Sequence, residues 1–96
     1  MTLPELDERR IAAESAIAAH HKVSLAGASE IERANWYQRA FELHEALVTV
    51  LEAAERAAWR DAPYVAGALR WAITGARLTG EHFRDMGIEW LKMAAR

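Results

Sequence analysis

The side chains best suited to chemistry near neutral pH in this sequence are His20, His21, His44 and His82, because imidazole titrates there and ligates metals. A helix aims two ligands at one ion when they stand three or four residues apart, as in His-Glu-x-x-His or Glu-x-x-His. Neither pattern occurs. His20 and His21 are adjacent and so point about 100° apart on a helix. A hairpin turning near Ala26 sets His44 opposite Arg9 and Arg10 rather than opposite His21. No metal and no cofactor is expected. The chain has no cysteine, which removes thiolate nucleophiles, thiolate zinc sites and disulfides together. Ser15, Ser24 and Ser29 lie outside any Gly-x-Ser-x-Gly elbow, and no glycine-rich loop follows a strand.

Two segments, Arg39-Ala-Phe-Glu-Leu-His44 and Arg77-Leu-Thr-Gly-Glu-His82, resemble the Arg-x4-His signature of the all-helical HEPN ribonuclease families. The resemblance implies an arginine that stabilises phosphate charge and a histidine that transfers protons. Ala40 and Leu78 follow the two arginines, where those families usually carry a polar residue. A ribonuclease is therefore an alternative, and the leading expectation is a protein that is not an enzyme. If the second and third helices run antiparallel about Asp61, the arginines have simpler partners, Arg77 toward Glu45 and Arg70 toward Glu52.

The charge balance narrows the partners. Twelve Lys and Arg stand against fourteen Asp and Glu, a formal charge of -2, whereas nucleic-acid binding ordinarily draws on a basic excess. Nucleic acid is not the expected partner. No uncharged stretch approaches the roughly 20 apolar residues of a membrane helix, so no membrane association is expected. The first ten residues place three acids before a basic residue and contain no apolar run; the expectation is no secretory signal and a cytoplasmic protein. Ten of the twelve basic residues are Arg, a bias that points to a GC-rich bacterial or phage source.

Periodicity gives an all-α single domain over residues 1–96, a small bundle of three to four helices around one long central helix at about 30–60. Thr2, Pro4 and Glu5 open a first helix that runs to about Lys22. Gly27 is the left-handed residue of the following turn, and Ser29 caps the second helix. That helix carries a central stripe of Trp36, Ala40, Leu43, Leu47, Leu51, Ala54 and Ala58, flanked by Tyr37, Phe41, Val48 and Trp59. Glu52 and Arg56 are spaced for an i,i+4 pair. Asp61-Ala-Pro63 ends it and caps a third helix, opened by Pro63, with Tyr64, Val65, Ala68, Leu69, Ala72 and Ala76 on one side. The alanines at 68, 72 and 76 form a flat seam for close helix approach. A break near Thr79-Gly80 is the preferred reading and starts a fourth helix whose face is Phe83, Met86, Trp90 and Met93; one bent continuous helix is the alternative.

Length turns this pattern into a statement about partners. A 30-residue helix is about 45 Å long, whereas a compact globule of this size is about 30 Å across. Either the monomer is elongated or a second chain covers the overhang, and a symmetric dimer is the expected form. Four Trp is several-fold above the usual frequency, and Trp with Arg is the pair that binding hot spots favour. Trp36 and Trp90 fall in core stripes; Trp59 and Trp71 sit at helix edges beside Arg60 and Arg70 and, if uncovered, mark a partner site. The candidate interaction residues are Trp36, Tyr37, Phe41, His44, Val48, Trp59, Arg60, Arg70 and Trp71. His44 lies inside the apolar arc, where a histidine bonded to a neighbouring carbonyl is expected and a pH sensor at a dimer seam is the sharper possibility. The expected function is a small adaptor, regulator or inhibitor that occupies the surface of another protein. A helical protein holding a small ligand near His44, Tyr37 and Trp71 is the other alternative.

Overall fold

The first helix, α1 (Leu3–His21), and the second, α2 (Glu30–Asp61), both begin with a reciprocal capping box. Thr2 Oγ1 accepts the Glu5 amide while the Glu5 carboxylate accepts the Thr2 amide. Ser29 and Glu32 repeat the device. Each box satisfies two amides that a helix start leaves without a partner, and the hydrogen bonds from Ser29 hold the Glu32 carboxyl below its ordinary pKa. Between the helices, Gly27 has φ of 74°, a conformation in which an L side chain is strained. Arg33 ties the turn down, its Nη2 donating to Leu25 O at 2.9 Å and its Nε to Ala28 O at 3.3 Å.

The third helix, α3 (Pro63–Ala94), follows after one residue. The computed structural model describes residues 1–96, with three helices and no strand. The protein is all-α, and the expected fourth helix is the second half of α3. Thr79 does not cap a new helix; its Oγ1 donates to Gly75 O within the same helix at 2.9 Å. Nor does Asp61 cap α3. The one-residue link puts Ala62 at the cap position, with φ and ψ of -154° and 67° and no side-chain hydrogen bond. The residue before a proline is held away from the α region, so Pro63 sets the corner without a capping side chain.

Both α1 and α3 run antiparallel to α2, and residues of all three helices meet in its two core clusters. Near the closed corner Leu6 packs with Ala54 and Ala57, with Leu69 of α3 against them. Further along, Leu47, Val48 and Leu51 meet Ile73 and Ala76, with Ala13 and Ile17 of α1 and Leu69 of α3 against the same cluster. The molecule measures 52 × 20 × 17 Å. The α2 overhang expected from helix length is therefore absent for a simple reason. With no break at Gly80, α3 has 32 residues, as many as α2, and lies along it in the same chain. The chain is elongated, and α3 covers one side of α2 along its length.

Close approach between α2 and α3 comes from residues other than the alanine seam. Ala68 and Ala72 are exposed and only Ala76 of that trio is buried. The contact row is Ala66, Ile73, Gly80 and Gly87, seven residues apart and all buried. A Cβ on Gly80 would lie 3.1 Å from His44 Cβ, and one on Gly87 would lie 3.3 Å from Tyr37 Cβ. These glycines bring the backbones together. They are the reason that a sequence feature resembling a helix break lies in mid-helix.

Candidate functional site

His20, His21 and His44 converge with Trp36, Tyr37 and Phe83 where the end of α1 meets α2 and α3. His20 stacks on Trp36 at 4.6 Å between ring centroids. Its Nε2 is 2.9 Å from Trp36 O, and Trp36 Nε1 donates to His20 O at 3.2 Å. His21 stands edge-on to Trp36 at 5.2 Å, 6.3 Å from the His44 ring and 5.3 Å from Phe83. The expected placement of His44 opposite Arg9 and Arg10 is thus corrected. The turn from Lys22 to Ser29 folds back on the start of α2, so α1 is displaced along its neighbour and His21 rather than Arg10 reaches His44.

The chemistry of this cluster is that of a joint. His44 is 7% exposed, and its Nδ1 donates to Ala40 O at 2.7 Å, so one of its two ring nitrogens is satisfied within its own helix. His21 is pushed below its ordinary pKa, first by burial and then by the neighbouring His44 and His20 charges. No group of three His, Cys, Asp or Glu side chains is arranged to hold a metal ion. Trp36, Tyr37 and Phe41 are half-buried and Val48 is buried, so four of the candidate interaction residues, with His44, join helices of the same chain.

The two Arg-x4-His segments lie within continuous helices, where five residues turn the side chains about 140° apart. Arg39 pairs with Glu42 at 3.4 Å while His44 turns to Ala40 O. Arg77 pairs with Glu52 at 3.2 Å while His82 lies exposed beside Phe83, 5.9 Å between rings. Neither segment gathers its arginine and histidine at one point. Antiparallel pairing of α2 and α3 holds, but the partners differ from those expected. Arg77 meets Glu52 in place of Glu45, and Arg70 meets Glu55 at 3.8 Å in place of Glu52; Glu52 is then not paired with Arg56. An open groove of about 310 Å³ runs between the helices beside His44, lined on its rim by Glu45, Glu52, Arg77, Glu81 and Arg84. Trp71 takes no part in it, so the three residues suggested as a ligand pocket are not gathered in one place.

Trp59, Arg60, Arg70 and Trp71 are on the surface. No arginine stacks on either tryptophan; the arginine–aromatic stacks are Arg33 on Trp90 at 5.2 Å and Arg84 on Phe41 at 5.9 Å. Trp59 is 62% exposed and Trp71 80%. Tyr64 and Leu78 join Trp71, 87% and 62% exposed. At seven-residue spacing the three make one row along the outside of α3, offset by two residues, or about 200°, from the buried row that begins at Ala66. The sequence predicts Tyr64 on the same side as Ala76, which is buried, whereas Tyr64 lies on the outside. The signal that finds the row is the second seven-residue period inside one helix. No helix is long and apolar enough to cross a membrane.

Compared with protein-family models, with curated proteins and with solved structures, the chain shows no match.

Proposed function

We propose that this protein is a small non-catalytic interaction module that works by presenting the outer face of α3 to a protein surface. The observation that carries the reading is the row of Tyr64, Trp71 and Leu78, three large apolar side chains at 62–87% exposure on one rigid helix face. An isolated exposed apolar residue is ordinary, but a contiguous apolar patch on a small soluble domain is a binding surface in waiting. Gly67 and Gly75 lie in the same row, and a Cβ at either would meet nothing within 4 Å. Each glycine in a helix interior costs about 1 kcal/mol relative to alanine. Nothing in the protein's own packing offsets that cost on the outer face.

The aromatic members are of the kind that dominate interface energetics. The helix that carries them is held by Ile73 and Gly80 against α2, so little ordering remains to oppose binding. Hydroxyl-radical footprinting tests the reading without knowledge of the partner. In concentrated extract of the source cell, Tyr64, Trp71 and Leu78 are expected to oxidise more slowly than in dilute purified protein, while Ile11, exposed on α1, serves as the reference. Equal oxidation of the row in both conditions would remove the interaction reading.

A further inference from the structure

We infer that the occupant of this face is a second copy of the same chain, its α3 laid antiparallel on the first about a two-fold axis at Trp71. The inference rests on the reading of the row as an interaction surface and commits it to one partner.

The row is close to a palindrome. Glycines stand four residues on either side of Trp71, at 67 and 75, and bulky apolar residues stand seven on either side, at Tyr64 and Leu78. Two antiparallel helices crossing at position 71 pair residues whose numbers sum to twice 71. Tyr64 then meets the second copy's Leu78, and Gly67 meets Gly75. A two-fold interface requires one patch to complement itself, and this spacing does so, with each Trp71 ring lying in the step that the other copy's glycines leave.

Charge follows the same logic. A two-fold axis brings any residue near it close to its own copy, so a charge at the centre is repelled. The row from Tyr64 to Leu78 contains none. The two arginines of this segment are turned to the α2 side, Arg70 to Glu55 and Arg77 to Glu52, about 100° round the helix from Trp71.

The area is of the right order. Fully buried aromatic side chains contribute about 150–250 Å² each. At their exposures, Tyr64, Trp71 and Leu78 offer on the order of 450 Å², more than half of the roughly 800 Å² that each partner gives to a stable interface. The exposed Gly67, Ala68, Thr74 and Gly75 surface between them adds to it, because helices that meet at glycine approach closely.

The absence of cysteine makes the test clean. Gly67→Cys and Gly75→Cys are prepared as separate single variants; both positions are open to a Cβ, so the fold is retained. In the antiparallel pair the sulfurs at 67 and 75 face each other, whereas 67 and its own copy are about 12 Å apart along the axis, beyond the roughly 7 Å that a disulfide spans. Under mild oxidation a disulfide dimer is expected in the mixture of the two variants and in neither alone. Wild-type sedimentation equilibrium runs beside it, so that a cysteine that weakens the contact does not decide the outcome. Cross-linking by either variant alone, or a wild-type chain that stays monomeric over the whole concentration range, overturns the inference. A monomer whose row is nevertheless protected in extract leaves the interaction reading standing with a different partner; a monomer without protection removes both.

Discussion

The two faces of α3 carry the same kinds of residue in the same period and meet opposite fates. Ala66, Ile73, Gly80 and Gly87 run down the inner face and are buried; Tyr64, Trp71 and Leu78, with Gly67 and Gly75 between them, run down the outer face and are exposed. On the inside the small residues are used. A Cβ at Gly80 would press on His44 Cβ at 3.1 Å, and α2 lies as near as it does because that Cβ is missing. On the outside, glycines of the same type face open space. Small residues in a helix permit approach, but approach needs a neighbour, and only one of these faces has found it within the chain.

The difference is largest in what truncation should cost. Ile73 is fully buried, and Ile73→Ala is expected to lower unfolding stability by about 2–4 kcal/mol, from lost burial and the cavity left behind. Trp71→Ala, two residues away on the other face, removes a larger side chain yet is expected to change monomer stability by less than about 0.5 kcal/mol. Urea denaturation of dilute protein measures both. Comparable losses for the two variants would mean that the faces are not distinct.

The glycines sharpen the contrast at smaller scale. Gly80→Ala gains helix propensity but forces the helices apart, and a net loss of about 1 kcal/mol is expected. Gly75→Ala meets nothing in the monomer, and a gain of about 0.5–1 kcal/mol is expected. Both changes belong in a Trp71→Glu background, where association does not enter the thermal melts. A Gly75→Ala variant that loses stability there would show that the outer glycine already serves its own chain.

Mild acidification should act on the joint of α1 with α2 and α3 rather than on the outer row. His21, packed on Phe83 and near His44, has a folded pKa below that of the unfolded chain because burial and neighbouring histidines oppose its charge. The unfolded state therefore takes up the proton first. The contribution is intact above about pH 6.5, the unperturbed histidine value, and is lost as pH falls from there through the lowered folded pKa. His21→Gln should flatten this part of the stability–pH curve, and an unchanged slope would remove His21 as its source.

Much of the fold was legible because local chemistry writes it plainly. Thr2 and Ser29 announce their capping boxes, Gly27 marks the left-handed turn, and the period of α2 extends without a break to Asp61. The second half of the chain was harder for one physical reason. Glycine at position 80 reads as a helix end when only local propensity is weighed, whereas here it answers a demand for space made by His44 on another helix. A break at that glycine would shorten α3 and leave part of α2 uncovered, whereas one continuous helix spans it. The same break would hide the site. Trp71 was recognisable as a candidate from its type, but Tyr64 and Leu78 join it only when α3 is one helix long enough to carry two parallel periods. Tyr37, Phe41, His44 and Val48 were singled out on α2 as apolar surface, and α3 lies against that side of α2.

The central claim is that the outer row of α3 is an association surface, and sedimentation equilibrium of the wild-type chain beside Trp71→Glu tests it most directly. The predicted result is a mass that rises with concentration to twice that of one chain for the wild type and stays at one chain for the variant, with both giving the same helical circular dichroism. Identical masses for the two proteins at every concentration would contradict it.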